Sequence, residues 1–275
     1  MTPSIGFVGA GQMGEPMVRR LLVSGRDVTV YARRAEVRER LRAAGAAVVD
    51  SVAELATGRR IIVACLFSDA QVVEVAGGAD GLLAAMDAGS ILLSHTTGTG
   101  ATLRTLAAAR PDIHVLDAPV SGTADDIDHG RLTVLIGGTD AAIDEAVPVV
   151  EAYSSTVIRT GAAGTALDLK LVNNVLFAAN AQVLAAAVKV ANDLGIESAR
   201  FLDALAACSA DSKVAGVARG LGGMAAFSEA AGRFLRKDVS AALDAAGEAG
   251  THLGLLDEVL QRGPLVLTAT SETVE

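Results

Sequence analysis

Three glycines stand at the spacing Gly9-x-Gly11-x-x-Gly14, directly after the apolar run Ile5-Gly6-Phe7-Val8. Met17, Val18, Leu21 and Leu22 follow on helical spacing. Strand, glycine turn and helix in that order aim a helix N-terminus, with its unpaired N–H groups and positive dipole end, at a phosphate. In such a turn Gly9 permits the reversal and Gly11 lets the backbone approach a pyrophosphate. Gly14 lets the helix pack on the strand, and Gln12 and Met13 complete the loop. The stretch predicts a dinucleotide site.

The second strand ends Val30-Tyr31-Ala32-Arg33-Arg34, with no carboxylate before Glu36. A ribose 2′-hydroxyl calls for an acid about 20 residues after the glycines. A 2′-phosphate would be repelled by that acid and held by guanidinium groups. Arg33 and Arg34 therefore point to NADP(H), the alternative being two solvated arginines at a helix start.

Lys170 and Asn174 are four residues apart in an apolar helical stretch, so they share one face and can converge on a single oxygen. Desolvation by the surrounding Leu and Val should lower the lysine pKa toward the working pH, which suits proton transfer. Taken alone, the pair equally suits a snorkelling lysine with asparagines that satisfy their neighbours. Ser121-Gly122 ends a strand-like run, at the sheet edge where open α/β folds bind ligands. No histidine is placed by sequence to make Ser121 a nucleophile. His95, His114, His129 and His252 are scattered and form no metal-type spacing; each reads as structural or solvated, His95 nearest the nicotinamide region.

These groups need a scaffold. Short apolar runs at Ile5–Gly9, Asp27–Tyr31, Ala47–Val49, Ile61–Leu66, Ser90–Ser94, His114–Ala118, Leu132–Gly137 and Thr156–Arg159 read as strands. Helical patterns separate several of them, including Glu15–Ser24, Ala35–Ala44 and Asp140–Tyr153. Such alternation predicts βαβ units and a parallel sheet. After Gly161-Ala162-Ala163-Gly164 the pattern becomes helical. Thr165, with Asp168 three residues on, is the expected cap of a helix that runs to about Leu194, roughly 45 Å. Apolar residues on almost every face require other helices around it. Candidates are Ser198–Ala207, Lys213–Gly220, Ala225–Leu235 and Lys237–Ala249. The fold class is α/β: a Rossmann-type dinucleotide-binding domain over 1–162 and an all-helical domain over 163–275.

Composition narrows the rest. With 275 residues, 51% hydrophobic and 20% charged, the chain is a folded globular protein. A net charge of −9 argues against a nucleic-acid surface. Leu171–Val188 is near spanning length, but Asn173, Asn174, Asn180 and Gln182 make it a core helix, with no membrane partner. Cys65 and Cys208 are expected as small buried hydrophobes in a reducing compartment. The first apolar run is a strand rather than a signal peptide, so a cytoplasmic protein is expected.

Four segments in this order resemble the β-hydroxyacid dehydrogenases. They are Gly6-Phe-Val-Gly-Ala-Gly-Gln-Met-Gly14, Asp117-Ala-Pro-Val-Ser-Gly-Thr123, Gly164-Thr-Ala-Leu-Asp-Leu-Lys-Leu-Val-Asn-Asn174 and Leu235-Arg-Lys-Asp238. The resemblance covers nearly the whole chain. It implies hydride transfer between a nicotinamide and a small β-hydroxy acid, or the corresponding aldehyde or keto acid. Lys170 would be the general acid/base, with Asn174 orienting the same oxygen. Ser121, Gly122 and Thr123 would grip the substrate carboxylate, and Lys237 and Asp238 would close the site. Thr97 would meet the nicotinamide side, and Leu66 and Phe67 would line the cofactor. Ser94–Gly100 lacks the family's usual Asp and Pro. Thr123 replaces a frequent Gly, Asp125-Asp126-Ile127 stands where Gly-Ala is usual, and Ala230 occupies a frequent Phe position. Imine reductases share the architecture but usually lack the lysine. A non-catalytic NADP(H)-binding sensor or scaffold is the alternative from another class. The apolar long helix further predicts a homodimer or homotetramer.

Overall fold

The computed structural model describes residues 3–267. The chain forms two compact units that divide between Lys170 and Leu171. The first contains β1 (Ile5–Val8), α1 (Gly14–Val23), β2 (Val28–Tyr31), α2 (Ala35–Ala43), β3 (Ala47–Val49), α3 (Val52–Ala56), β4 (Ile61–Ala64), α4 (Asp69–Ala76) and α5 (Leu82–Ala85). It continues through β5 (Ile91–Ser94), α6 (Gly100–Ala109), β6 (His114–Asp117), β7 (Val120–Ser121), α7 (Ala124–Asp128), β8 (Leu132–Gly137), α8 (Asp140–Val150) and β9 (Ser154–Gly161).

The sheet order is β3-β2-β1-β4-β5-β6-β8-β7, with β9 also paired to β8. Strands β1 to β6 are parallel. β8 runs antiparallel to β6, and β9 runs parallel to β8. Alternate residues of each central strand enter opposite cores. Phe7, Val30, Val63 and Leu93 pack with Met17, Val18 and Leu21 of α1, whereas Val8, Ile62 and Leu92 pack with Leu55, Val72 and Leu103. Coverage on both faces is why these strands read as unbroken apolar runs. The order reverses between β1 and β4, and the crevice at the carboxyl ends there is the ligand position of such sheets.

Helix α9 (Thr165–Asp193) runs through the division between the units. The second unit adds α10 (Ser198–Leu205), α11 (Lys213–Leu221), α12 (Met224–Glu248) and α13 (Leu255–Arg262). Leu171, Val175, Ala178, Ala181, Leu184 and Val188 of α9 form one core with Leu202, Val214, Phe227, Val239 and Leu260. Gln182 is buried in that core and fully engaged. Its Nε2 donates to Leu260 O (2.9 Å) and Leu265 O (2.7 Å), and its Oε1 accepts from Leu265 N–H at 2.7 Å. α9 is long and apolar enough to cross a membrane by length and composition, yet one whole face of it packs against the other helices.

Four expectations change. Among the described residues the other helices do not surround α9: Leu169, Val172, Leu176, Val183 and Val190 are 45–64% exposed. The pair of helices expected at Ala225–Leu235 and Lys237–Ala249 is a single helix, α12, since nothing in Leu235-Arg-Lys-Asp238 breaks the backbone pattern. Thr165 does not cap α9 with Asp168; its hydroxyl bonds Ala162 O (2.8 Å) and Thr160 Oγ1 (2.8 Å). Cys208 is exposed at the end of α10, and only Cys65 is withdrawn from water, its thiol pushed up to about 12 by burial.

Candidate active site

The glycine turn divides its tasks as the spacing requires. Gly9 has a φ of +95°, and a Cβ there would lie 2.2 Å from Cys65 O at the end of β4. A Cβ on Gly14 would lie 2.1 Å from Gly9 O, so α1 approaches the strand more closely than any side chain permits. Gly11 is different: it is exposed, and a Cβ would meet nothing within 4 Å. Two glycines thus build the cradle and the third leaves its backbone open to a ligand. Met13 precedes α1 as its cap residue without a side-chain bond, and Gln12 lies exposed beside Gly11. Glu15 locks α1 to α2 through Arg40 (2.7 Å) and also pairs with Arg19 one turn along its own helix (2.9 Å). Hydrogen bonding to Arg40, helped by Arg19, holds the Glu15 carboxyl down to about 2.

Val8 and Tyr31 are register partners, so the chain after β2 emerges beside the glycine turn. Arg33 and Arg34 lie there, both exposed; Arg34 is 3.7 Å from Glu36 and caps α2 with extended backbone. Leu66 and Phe67 leave β4 at the same edge. Leu66 N–H donates to Thr96 Oγ1 (3.0 Å), Phe67 N–H donates to Gln71 Oε1 (3.1 Å), and the Phe67 ring is 49% exposed. Thr97 is half-buried in the loop after β5. Asp69 fastens the unusual part of that loop: it accepts from Thr99 N–H at 2.8 Å and would clash with any Cβ on Gly98.

The segment after β6 is clamped at its root. Ala118 N–H donates to Ser94 O (2.7 Å), and Leu135 N–H donates to Pro119 O (3.0 Å). Buried His95 binds Ala118 O through Nδ1 (2.6 Å) and the Tyr153 hydroxyl through Nε2 (2.8 Å). A carbonyl only accepts, so Nδ1 carries the proton, and neutral Nε2 accepts from the tyrosine O–H. Burial pulls the His95 pKa down to about 4, which keeps the ring neutral. Farther along, Ser121 is exposed and pairs in register with Thr133. Gly122, at φ +138°, has no room for a Cβ against Leu132.

Thr123, expected to help grip a carboxylate, here caps the next helix. Its N–H (2.8 Å) and hydroxyl (2.9 Å) both donate to Asp126 Oδ2, and its Oγ1 accepts from Asp126 N–H (3.3 Å). Asp126, placed where Gly-Ala is usual, makes Thr123 the cap of α7. The Thr-x-x-Asp spacing was the available signal. Asp117 carries no such signal, because its partners lie 47 to 50 residues away at the start of α9.

Lys170 is half-buried and Asn174 is buried one helical turn later on α9. Asn174 Nδ2 donates to Asp238 Oδ2 (2.7 Å), and Asn174 Oδ1 accepts from Asn173 Nδ2 (3.0 Å). Lys237 Nζ is 3.2 Å from Asp238 Oδ1. The first unit therefore brings the glycine turn, Arg33, Leu66, Phe67 and Thr97 to one sheet edge. The second unit joins Asn174, Asp238 and Lys237. Among the described residues no His, Cys, Asp or Glu cluster suits a metal ion.

The NAD-binding domain of 6-phosphogluconate dehydrogenase matches residues 4–161, and the NAD-binding domain of NADP-dependent 3-hydroxyisobutyrate dehydrogenase matches residues 163–269. An uncharacterised oxidoreductase of Shewanella frigidimarina is 33% identical over 90% of this chain and 87% of its own. The mitochondrial 3-hydroxyisobutyrate dehydrogenase of mouse is 34% identical over 63% of this chain and 52% of its own. Among solved structures, the 3-hydroxyisobutyrate dehydrogenase of Mycobacterium tuberculosis with L-serine superposes with a TM-score of 0.82 at 24% identity, over 95% of this chain and 92% of that one. An imine reductase of Myxococcus stipitatus shares the fold alone, with a TM-score of 0.67 at 19% identity over 95% and 92% of the two chains. This chain is an NAD(P)-binding oxidoreductase and belongs to the β-hydroxyacid dehydrogenase family.

Proposed function

We propose that the protein transfers a hydride between NADP(H) and a small β-hydroxy acid, or the corresponding aldehyde or keto acid, with Lys170 as general acid/base. The observation that carries this reading is the position of Lys170 on the first turns of α9, a helix anchored at the sheet edge that also holds the glycine turn and the exposed Ser121.

The open face of Gly11 and the close-packed Gly9 and Gly14 fit a dinucleotide pyrophosphate. Gly9, Gly11, Gln12, Met13 and Gly14 would hold it, with Arg33 and Arg34 on a 2′-phosphate and Leu66, Phe67 and Thr97 toward the nicotinamide. When bound, the nicotinamide supplies or receives the hydride. During reduction the protonated Lys170 ammonium gives a proton to the substrate carbonyl oxygen and is left as the neutral amine; during oxidation the neutral amine takes the hydroxyl proton and becomes the ammonium. Asn174, on the same helix face, orients that oxygen with its second Nδ2 hydrogen, the first being held by Asp238. The Ser121 hydroxyl and Gly122 N–H bind the substrate carboxylate.

We further propose that two copies pair along α9. Leu169, Leu176, Val183 and Val190 are exposed and recur every seven residues, the spacing of a helix–helix seam.

The test is a coupled assay of 3-hydroxyisobutyrate, tartronate semialdehyde, glyoxylate and succinic semialdehyde with NADP(H) and NAD(H), beside a cyclic imine. Turnover of one of the acids, faster with NADP(H), is expected. Turnover of the imine alone would overturn the reading in favour of imine reduction.

A further inference from the structure

Asp117 is fully buried at the end of β6, and its carboxylate accepts three backbone N–H groups. Gly164 donates to Oδ1 at 2.8 Å, and Ala166 and Leu167 donate to Oδ2 at 2.8 and 3.0 Å. A buried carboxylate is strongly unfavourable unless donors surround it. Here the donors are amides at the start of α9, where the helix dipole also favours a negative charge. The chain is shaped to admit this contact: a Cβ on Gly137 would lie 2.6 Å from Asp117 Oδ1, and Gly164 turns into the helix at φ +98°.

Asp117 stands at the junction of two segments that matter to the reaction. On one side Lys170 follows Leu167 by three residues, about 4.5 Å of helix rise. On the other, Ala118 and Pro119 are fixed by Ser94, His95 and Leu135, and lead directly into Ser121. A change at the carboxylate therefore bears directly on the first turn of α9, which leads to Lys170.

We propose that Asp117 is a positioning residue for hydride transfer, setting α9 against β6 so that the Lys170 amine and the Ser121 hydroxyl address one substrate. It touches neither substrate nor cofactor. The proposal rests on Lys170 as the general acid/base. A merely structural cap would be indifferent to Lys170, whereas a positioning residue acts through it.

The experiment compares D117N, K170A and the double variant in single-turnover hydride transfer, enzyme in excess, with whichever acid of the panel is turned over best: NADPH oxidation for an aldehyde or keto acid, NADP+ reduction for the hydroxy acid. Asparagine offers one acceptor oxygen and turns an NH₂ against the N–H groups of α9. The expected result is a fall of about 100-fold in the D117N rate, the scale of an ångström misplacement, with NADPH affinity unchanged. In the K170A background the same substitution should change the rate less than about 2-fold, because residues acting as a unit are not additive. Full activity of D117N, or the same loss with and without Lys170, overturns the proposal. Wild-type turnover in K170A, or no turnover of any acid, defeats the underlying reading of Lys170 and this proposal with it. If D117N does not fold, D117E decides: it keeps the charge and shifts it by one methylene. Its loss must then vanish in the K170A background.

Discussion

The Asn174 amide donates to Asp238 Oδ2 at 2.7 Å, and this contact fixes which way the amide faces. A carboxylate accepts only, so Asn174 must present its NH₂ group there and its oxygen to Asn173. Asp238 thus orients a residue as well as pairing with Lys237.

Asp238→Asn removes that constraint, since an asparagine can satisfy Asn174 in either orientation. We predict a fall in kcat of about 10-fold with the melting temperature within a few degrees of wild type, a loss near 1.4 kcal/mol in transition-state stabilisation. Steady-state kinetics beside a thermal melt check it. Unchanged kcat would mean that the amide orientation is set elsewhere.

Arg33→Asp puts a carboxylate where a 2′-phosphate would lie and where a 2′-hydroxyl would be welcomed. NADPH affinity should fall at least about 10-fold, the scale of one charge-assisted pair, while NADH affinity holds or improves. Fluorescence titration of the two cofactors measures this. Equal losses for both would show that the arginine does not read the phosphate.

His95 gives the fold a pH dependence. Its pKa is about 4 in the folded protein against 6.5 for an ordinary imidazole, because burial disfavours the charged ring. The unfolded chain therefore binds the proton first. This contribution to stability is complete above pH 6.5 and is lost as pH falls toward 4. From pH 7 to pH 5 it amounts to roughly 2 kcal/mol. Urea unfolding of wild type and His95→Asn at the two pH values isolates it, and an identical pH dependence in the variant would contradict it.

On α9, Leu176→Arg combined with Val183→Arg places two charges in the exposed apolar stripe. Sedimentation should show the wild-type mass halved, with the far-ultraviolet helix signal intact. An unchanged assembly would remove α9 from the interface.

Much of this architecture was legible in the sequence because the relevant physics is local. Gly9, Gly11 and Gly14 each answer a demand of their own turn, and β3 and β8 follow from short β-branched runs with the expected limits. Lys170 and Asn174 were recognisable as neighbours from helical spacing alone. Short helices such as α3 and α5, and the two-residue β7, were not, since tertiary packing rather than periodicity makes them. Asp117 was read within the substrate segment, but its partners lie far along the chain. His95 joins Ala118 to Tyr153 across 23 and 58 residues, a pairing that no spacing announces. The cap that Thr123 makes on α7 was, by contrast, readable from Asp126 three residues on.

In the proposed mechanism Lys170 moves the proton that accompanies hydride transfer. Replacing it by alanine while following both NADPH binding and turnover tests this most directly. We predict a loss of turnover of about 10² to 10⁴-fold, as expected for one acid–base group, with NADPH affinity preserved. Turnover equal to wild type would contradict it.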